Sequence, residues 1–238
     1  KKGDREKVEH IEKQLKEMEK LGIDHTILRI GVVGDPATDW KHTVDEIKSK
    51  LKGNKDLYGN ILYVSKLQRI DGFDPEVIKS MHVSIDPFNS KHMNTTMENV
   101  KKLKKMNPDI NITLRIRSFD SNNKELSDNL QKAVQFANDN DLPVLETKMR
   151  YTRQVAKLLE MNESSYHDTD GVNIKANHNF LGKKGHDANQ GKMREFTDRK
   201  MVANKHVECD PTLKGCQSCG NCVRTTLNKN LPWQVNRT

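Results

Sequence analysis

Apolar positions in this chain switch repeatedly between two periods. The runs TILRIGVVG (26–34), NILYVSKL (60–67), MHVSID (81–86), NITLRIRS (111–118) and LPVLETKM (142–149) are short, rich in β-branched and apolar residues, and bounded by Gly, Asp, Asn or Pro. Near-continuous apolar runs of this length predict strands buried on both faces. Between them, apolar residues recur at three- and four-residue steps, which predicts helices. One covers about 40–51. A second covers 90–106, with Met93, Met97, Val100 and Leu103 inward, and a third covers 123–139, with Leu126, Leu130, Val134 and Ala137 inward. Shorter helices are predicted at 75–80 and 152–160. At the start, Val8, Ile11, Leu15 and Met18 predict a helix over 5–21, stopped by Gly22.

Strands alternating with helices at this spacing predict βαβ crossovers, and so an α/β fold with parallel strands. A doubly wound sheet and a partial barrel both satisfy the pattern. Neither GxGxxG nor GxxxxGK[ST] occurs, which argues against a dinucleotide or P-loop site. After about residue 161 the periodicity stops, and ESSYHDTDGVNIKANHNFLGKKGHDANQGK is rich in Asn, Gly, Asp and His. The chain therefore reads as two parts. Residues 1–160 form the α/β part, and 161–238 form an irregular C-terminal segment that ends in a cysteine cluster.

Composition alters this picture in two places. No run approaches 18 apolar residues, and the N-terminus is a charged helix with no apolar leader core, so a cytoplasmic protein without a membrane partner is expected. The formal net charge is +8, and residues 151–238 hold 14 Lys/Arg against 9 Asp/Glu. Such a tail would attract phosphates, so nucleic acid is one candidate partner through the C-terminal segment. Its aromatics (Tyr166, Phe180, Phe196, Trp233) are too scattered for a base-stacking platform. The Lys101-Lys102 and Lys104-Lys105 pairs fall on the polar side of a helix and read as solvated.

All four cysteines lie between 209 and 222, in CDPTLKGCQSCGNC. The spacing is Cys209-x6-Cys216-x2-Cys219-x2-Cys222. Thiols three residues apart make cramped disulfide partners, and nothing else suggests secretion. A metal centre is the better reading, since thiolates need a cation to share their charge and one loop delivers several ligands together. Zinc sites usually draw two separated pairs, whereas a compact C-x2-C-x2-C run suits a [4Fe–4S] cubane. The expectation is a [4Fe–4S] cluster, with Zn2+ as the alternative. His206, three residues before Cys209, could substitute as a ligand, but four thiols satisfy either metal and a surface histidine is the simpler reading.

In parallel sheets ligands bind at the carboxyl ends of strands. Asp35 (VVGDP), Asp86 (VSIDP) and Asp120 (RSFD) stand at such ends. Alternation puts Arg115 and Arg117 on one face of their strand, and Glu146 and Lys148 on one face of theirs. The bland reading of Asp-Pro is a loop or helix cap. Polar groups on four strands nevertheless suggest a shared site.

At this point the residues resemble a known family. LRIGVVGDP is similar to the second strand of radical S-adenosylmethionine enzymes, and MHVSIDPFNSKHMNTTMENVKKLKKMNPDINITLRIRS resembles their fourth strand, following helix and fifth strand. The C-terminal cysteines are similar to auxiliary-cluster segments of that superfamily. The nearest likeness is to phage-encoded radical-SAM-like proteins that combine an R-x-G-x-x-G-D-P strand with C…C-x2-C-x2-C. The resemblance implies a partial (βα) barrel. It also implies an S-adenosylmethionine site in which Gly34 and Asp35 hold the amino group, while Ser84, Asp86 and Arg115 or Arg117 face the ribose or carboxylate. Cys209, Cys216, Cys219 and Cys222 would hold an iron–sulfur cluster. The family's defining cysteine triplet follows its first strand, and no cysteine precedes Cys209 here. That strand and loop would lie upstream of Lys1, or the chain is a divergent relative. As an enzyme it would reduce the cofactor's sulfonium by one electron, acting on a small-molecule or macromolecular substrate, with Tyr151, His178 and His186 as reachable acid–base groups. Two non-catalytic alternatives are a zinc-stapled nucleic-acid-binding module and a structural protein whose metal pins the tail.

Overall fold

The helices form where apolar spacing and capping side chains agree. The structure, a computed structural model, describes residues 28–31, 34–187, 192–195 and 201–207. The helix expected at 5–21 and all four cysteines lie outside the described residues. These residues fall into two compact units, one built from 28–84 and 94–112, the other from 85–93 and 113–207.

The first unit contains β1 (Leu28–Ile30), α1 (Trp40–Lys50), β2 (Ile61–Ser65) and nearly all of β3 (Ser80–Ile85). β1 pairs parallel with β2, and β2 parallel with β3. Asp39 caps α1 by accepting from the His42 N–H, and one side of the helix is buried through Trp40, Val44 and Ile47. Trp40 meets Tyr63 and Phe73 edge-on, with centroids 6.1 and 5.7 Å away, and its indole N–H donates to the Arg69 carbonyl. Most of α2 (Ser90–Met106) belongs here, with Val100 and Leu103 buried. Asn99 donates to the Leu67 carbonyl, and Lys104 closes the helix end by donating to the carbonyls of Pro108 and Ile110. Lys101, Lys102 and Lys105 are exposed, as a solvated face requires. The helix expected at 75–80 is instead a set of turns, with Asp74 accepting from the Glu76 N–H.

The second unit holds β4 (Asn111–Ser118) from Thr113 onward, α3 (Lys124–Asp139) and β5 (Val144–Lys148). β4 pairs parallel with β5. Asn123 caps α3, which buries Leu126, Leu130, Val134 and Ala137 as the spacing predicts. Beyond β5 come β6 (Arg150–Thr152), α4 (Arg153–Leu158), β7 (Tyr166–Asp168), β8 (Asn173–Ala176), β9 (Lys184–Asp187), β10 (Lys192–Glu195) and β11 (His206–Val207). β6, β8 and β7 form a small antiparallel sheet, β9 and β10 an antiparallel pair, and β11 returns to lie parallel beside β5. The chain is thus α/β with parallel pairing in both units. The stretch after 161, which shows no periodicity, contains strands of two to four residues, too short to display an alternation. Among the described residues, no helix is long and apolar enough to cross a membrane.

Candidate functional site

Asp35 follows β1 by five residues. Gly31 adopts φ +98°, and a Cβ there would stand 2.0 Å from the Val64 carbonyl oxygen, so only glycine lets the chain pass so close to β2. The next described residues, Gly34 and Asp35, are half-buried and lead into a short 3-10 turn at Pro36–Thr38. The Asp35 carboxylate caps that turn by accepting from the Ala37 N–H at 2.9 Å. It also accepts from the Ser65 hydroxyl at 2.6 Å and the Lys66 N–H at 2.9 Å, at the far end of β2. Ser65 Oγ in turn accepts from the Leu67 N–H. Asp35 therefore ties two strand ends together. Gly34 contributes no side chain, and Ser84 lies half-buried late in β3.

The second unit gathers more of the expected residues. Asp86, directly after β3, accepts from the Phe88 N–H at 3.2 Å in an Asx turn. Asn129, buried on α3, donates to the Pro87 carbonyl and the Ser90 hydroxyl, each at 3.0 Å, and so fixes this turn. Phe88 stacks on Phe119 at 4.8 Å and meets Tyr151 edge-on at 5.7 Å. The Tyr151 hydroxyl is buried beside the Arg117 side chain. Burial pushes the phenol upward from its ordinary value, the neighbouring Arg117 guanidinium pulls it back, and the Asp86 charge adds to the rise. Arg117 and Asp86 thus both act on Tyr151, whose ring meets Phe88. A phenol between a guanidinium and a carboxylate can donate to or accept from a polar ligand.

Each charged pair shares a face of its own strand, as alternation predicts, and the register of β4 on β5 sets the two pairs on opposite sides of the ladder. Arg115 stands opposite Leu145 and Arg117 opposite Thr147, whereas Glu146 stands opposite Ile116 and Lys148 opposite Ser118. Paired residues share a face, so the arginines occupy one side of the ladder, and Glu146 and Lys148 the other. Arg115 is half-buried and Arg117 exposed.

Glu146 is fully buried, and sequence reasoning gave it no partner. Its carboxylate accepts from the Phe180 N–H at 2.5 Å and the Leu181 N–H at 3.2 Å, and it meets His206 Nε2 at 2.6 Å. His206 is largely buried, not the surface histidine expected. The only advance signal was a lone Glu inside an apolar strand. Of the remaining acid–base guesses, His178 packs against Phe180, and the His186 side chain lies outside the described residues. Asp120 accepts from Asn162 and Ser165, more than forty residues away in sequence, so it ties the end of β4 to the segment before β7.

A cleft of about 370 Å³ opens elsewhere in this unit, lined by Arg153, Lys157, Glu163, Tyr166, His167 and Asp168 among others. Arg153 forks onto Asp168 there through two hydrogen bonds. None of the residues expected to bind a cofactor lines it. Comparison with family models, with curated proteins and with solved structures returned no match.

Proposed function

We propose that the chain is a divergent iron–sulfur protein of the radical S-adenosylmethionine type. In this reading, a partial (βα) barrel carries one [4Fe–4S] cluster on Cys209, Cys216, Cys219 and Cys222. The observation that carries it is the donor set, four thiols within fourteen residues, three of them at successive three-residue steps. It is supported by the segment before them, 201–207, being bonded to β5 and α3. A bound cluster would supply one-electron transfer. Four closely spaced thiols stay reduced in the cytoplasm, where we place the protein.

The residues fit S-adenosylmethionine unevenly. Asp35 does not fit the capture of an amino group, because its carboxylate is committed to Ser65, Lys66 and Ala37. No chemical step is therefore derived through that cofactor. Ser84, Asp86, Arg115 and Arg117 remain its proposed contacts, and the substrate is a small molecule or a macromolecule.

A second reading draws on the same observation. Asp35 and Asp86 both serve as turn caps, which suits a protein whose strand ends do no chemistry. A zinc-stapled module that meets nucleic acid through its basic C-terminal part would then be the function. Anaerobic purification of the full chain, followed by metal and sulfide analysis, decides between the two. About four iron and four sulfide per chain, with a brown colour, support the cluster. One zinc per colourless chain supports the module and sinks the iron–sulfur reading. Titration of the iron-loaded chain with S-adenosylmethionine then tests the cofactor, and absence of binding removes that part of the proposal.

A further inference from the structure

Glu146, His206 and Gly182 form a second cluster whose chemistry the strand-end residues do not share. The buried carboxylate faces two backbone N–H groups and one imidazole, and its burial is offset only while all three stay in place. Gly182 makes room for the ring. A Cβ at that position would stand 2.4 Å from His206 Nδ1 and 2.6 Å from Cε1. The backbone of the same segment is held in parallel. The Val144 N–H donates to the Lys205 carbonyl at 2.8 Å, and the Ala203 N–H to the Leu181 carbonyl at 2.8 Å. Asn138 donates to the Val202 carbonyl and accepts from the Asn204 N–H, while Lys205 reaches the Asp141 carboxylate at 2.5 Å. Five consecutive residues, Val202 to His206, are thus fixed to α3, β5 and the 179–182 loop.

Cys209 follows His206 by three residues, a length of chain that spans at most about 11 Å. We propose that the Glu146–His206 pair is a positioning device for the cysteine centre. It fixes, before any metal arrives, the point at which the chain carrying Cys209 leaves the β5 edge. The inference rests on the reading of the four cysteines as metal ligands. Ligands delivered from a preset point cost the metal less ordering on binding, and groups behind the ligands commonly govern affinity tenfold or more.

The test uses the full chain, loaded anaerobically with iron and sulfide or with zinc, and variants Glu146→Gln, Gly182→Ala and His206→Gln. Gln at 206 can still donate to Glu146 from its side-chain amide. The first readout is amide hydrogen exchange at Val144, Ala203 and Asn204, and the second is the rate of metal loss to a competing chelator. The expected result is faster exchange at these amides in Glu146→Gln and Gly182→Ala, with metal lost at least about tenfold faster than from the parent chain, and partial rescue in His206→Gln. Should Gly182→Ala refuse to fold, Glu146→Gln, which alters no volume, carries the test alone. Metal held equally well by folded variants overturns the proposal. A parent chain that takes up neither metal overturns the underlying reading instead.

Discussion

Replacing Asp35 by Ala removes, at once, the acceptor for the Ser65 hydroxyl and for the N–H groups of Ala37 and Lys66. Charge-assisted hydrogen bonds of this kind contribute more than neutral ones, and the orphaned donors are only partly reached by water. Asp35→Ala is expected to lower unfolding stability by about 2 kcal/mol in a urea titration. A loss below about 0.5 kcal/mol would mean that the clamp contributes little and that the carboxylate is held for a ligand. Asp35 is extended, as a residue before proline should be, but β1 ends at Ile30, five residues before the expected Asp-Pro boundary. What the carboxylate faces was not legible. Ser65 and Lys66 are thirty residues away in sequence, and only the β1–β2 register brings them there.

Among the elements, α3 does more than cover β4 and β5. Its buried Asn129 reaches across to the Pro87 carbonyl and Ser90, so the helix holds the turn that carries Asp86. Asn129→Leu keeps the side-chain volume and leaves the Pro87 carbonyl without its partner. It is expected to cost about 2 kcal/mol and to speed amide exchange at Phe88, whose N–H the Asp86 side chain accepts. Unchanged exchange at Phe88 would show that the Asx turn stands without the helix. The five strands and the helices α1, α2 and α3 were readable because a buried parallel strand needs an apolar run and a one-sided helix needs a 3.6 period, whereas the six residues at 75–80 were too few to tell a helix from turns. Register leaves no such trace. Alternation within β4 and within β5 paired the arginines with each other and Glu146 with Lys148, but the offset between the two strands, which places those pairs on opposite sides, is a property of the pairing alone. Strands as short as β11 gain their place from what they join, here β5, and not from their own residues.

For the whole molecule, pH is the informative variable. Burial raises the phenols of Tyr63, Tyr151 and Tyr166 above their ordinary value of 10.0, and these three of the chain's four tyrosines are spread over both units. A group whose pKa is higher folded than unfolded lends stability that is complete below the unfolded pKa and lost as pH climbs toward the folded one. The stability these phenols contribute should therefore be flat up to about pH 10 and fall above it. Phenolate absorbance from these side chains should appear together with the loss of circular dichroism. Their titration near pH 10 with the fold intact would contradict the burial described here. The formal charge of +8 and the basic tail were legible from composition, but composition names no partner.

The two-sided use of β5 has a practical consequence. Thr147 and Glu146 are neighbours in the chain, yet they lie on opposite sides of the same ribbon, Glu146 buried. Substitution at Thr147 therefore leaves the Glu146–His206 tether in place, whereas inserting a single amino acid into this ribbon would exchange the two sides and carry Glu146 away from His206.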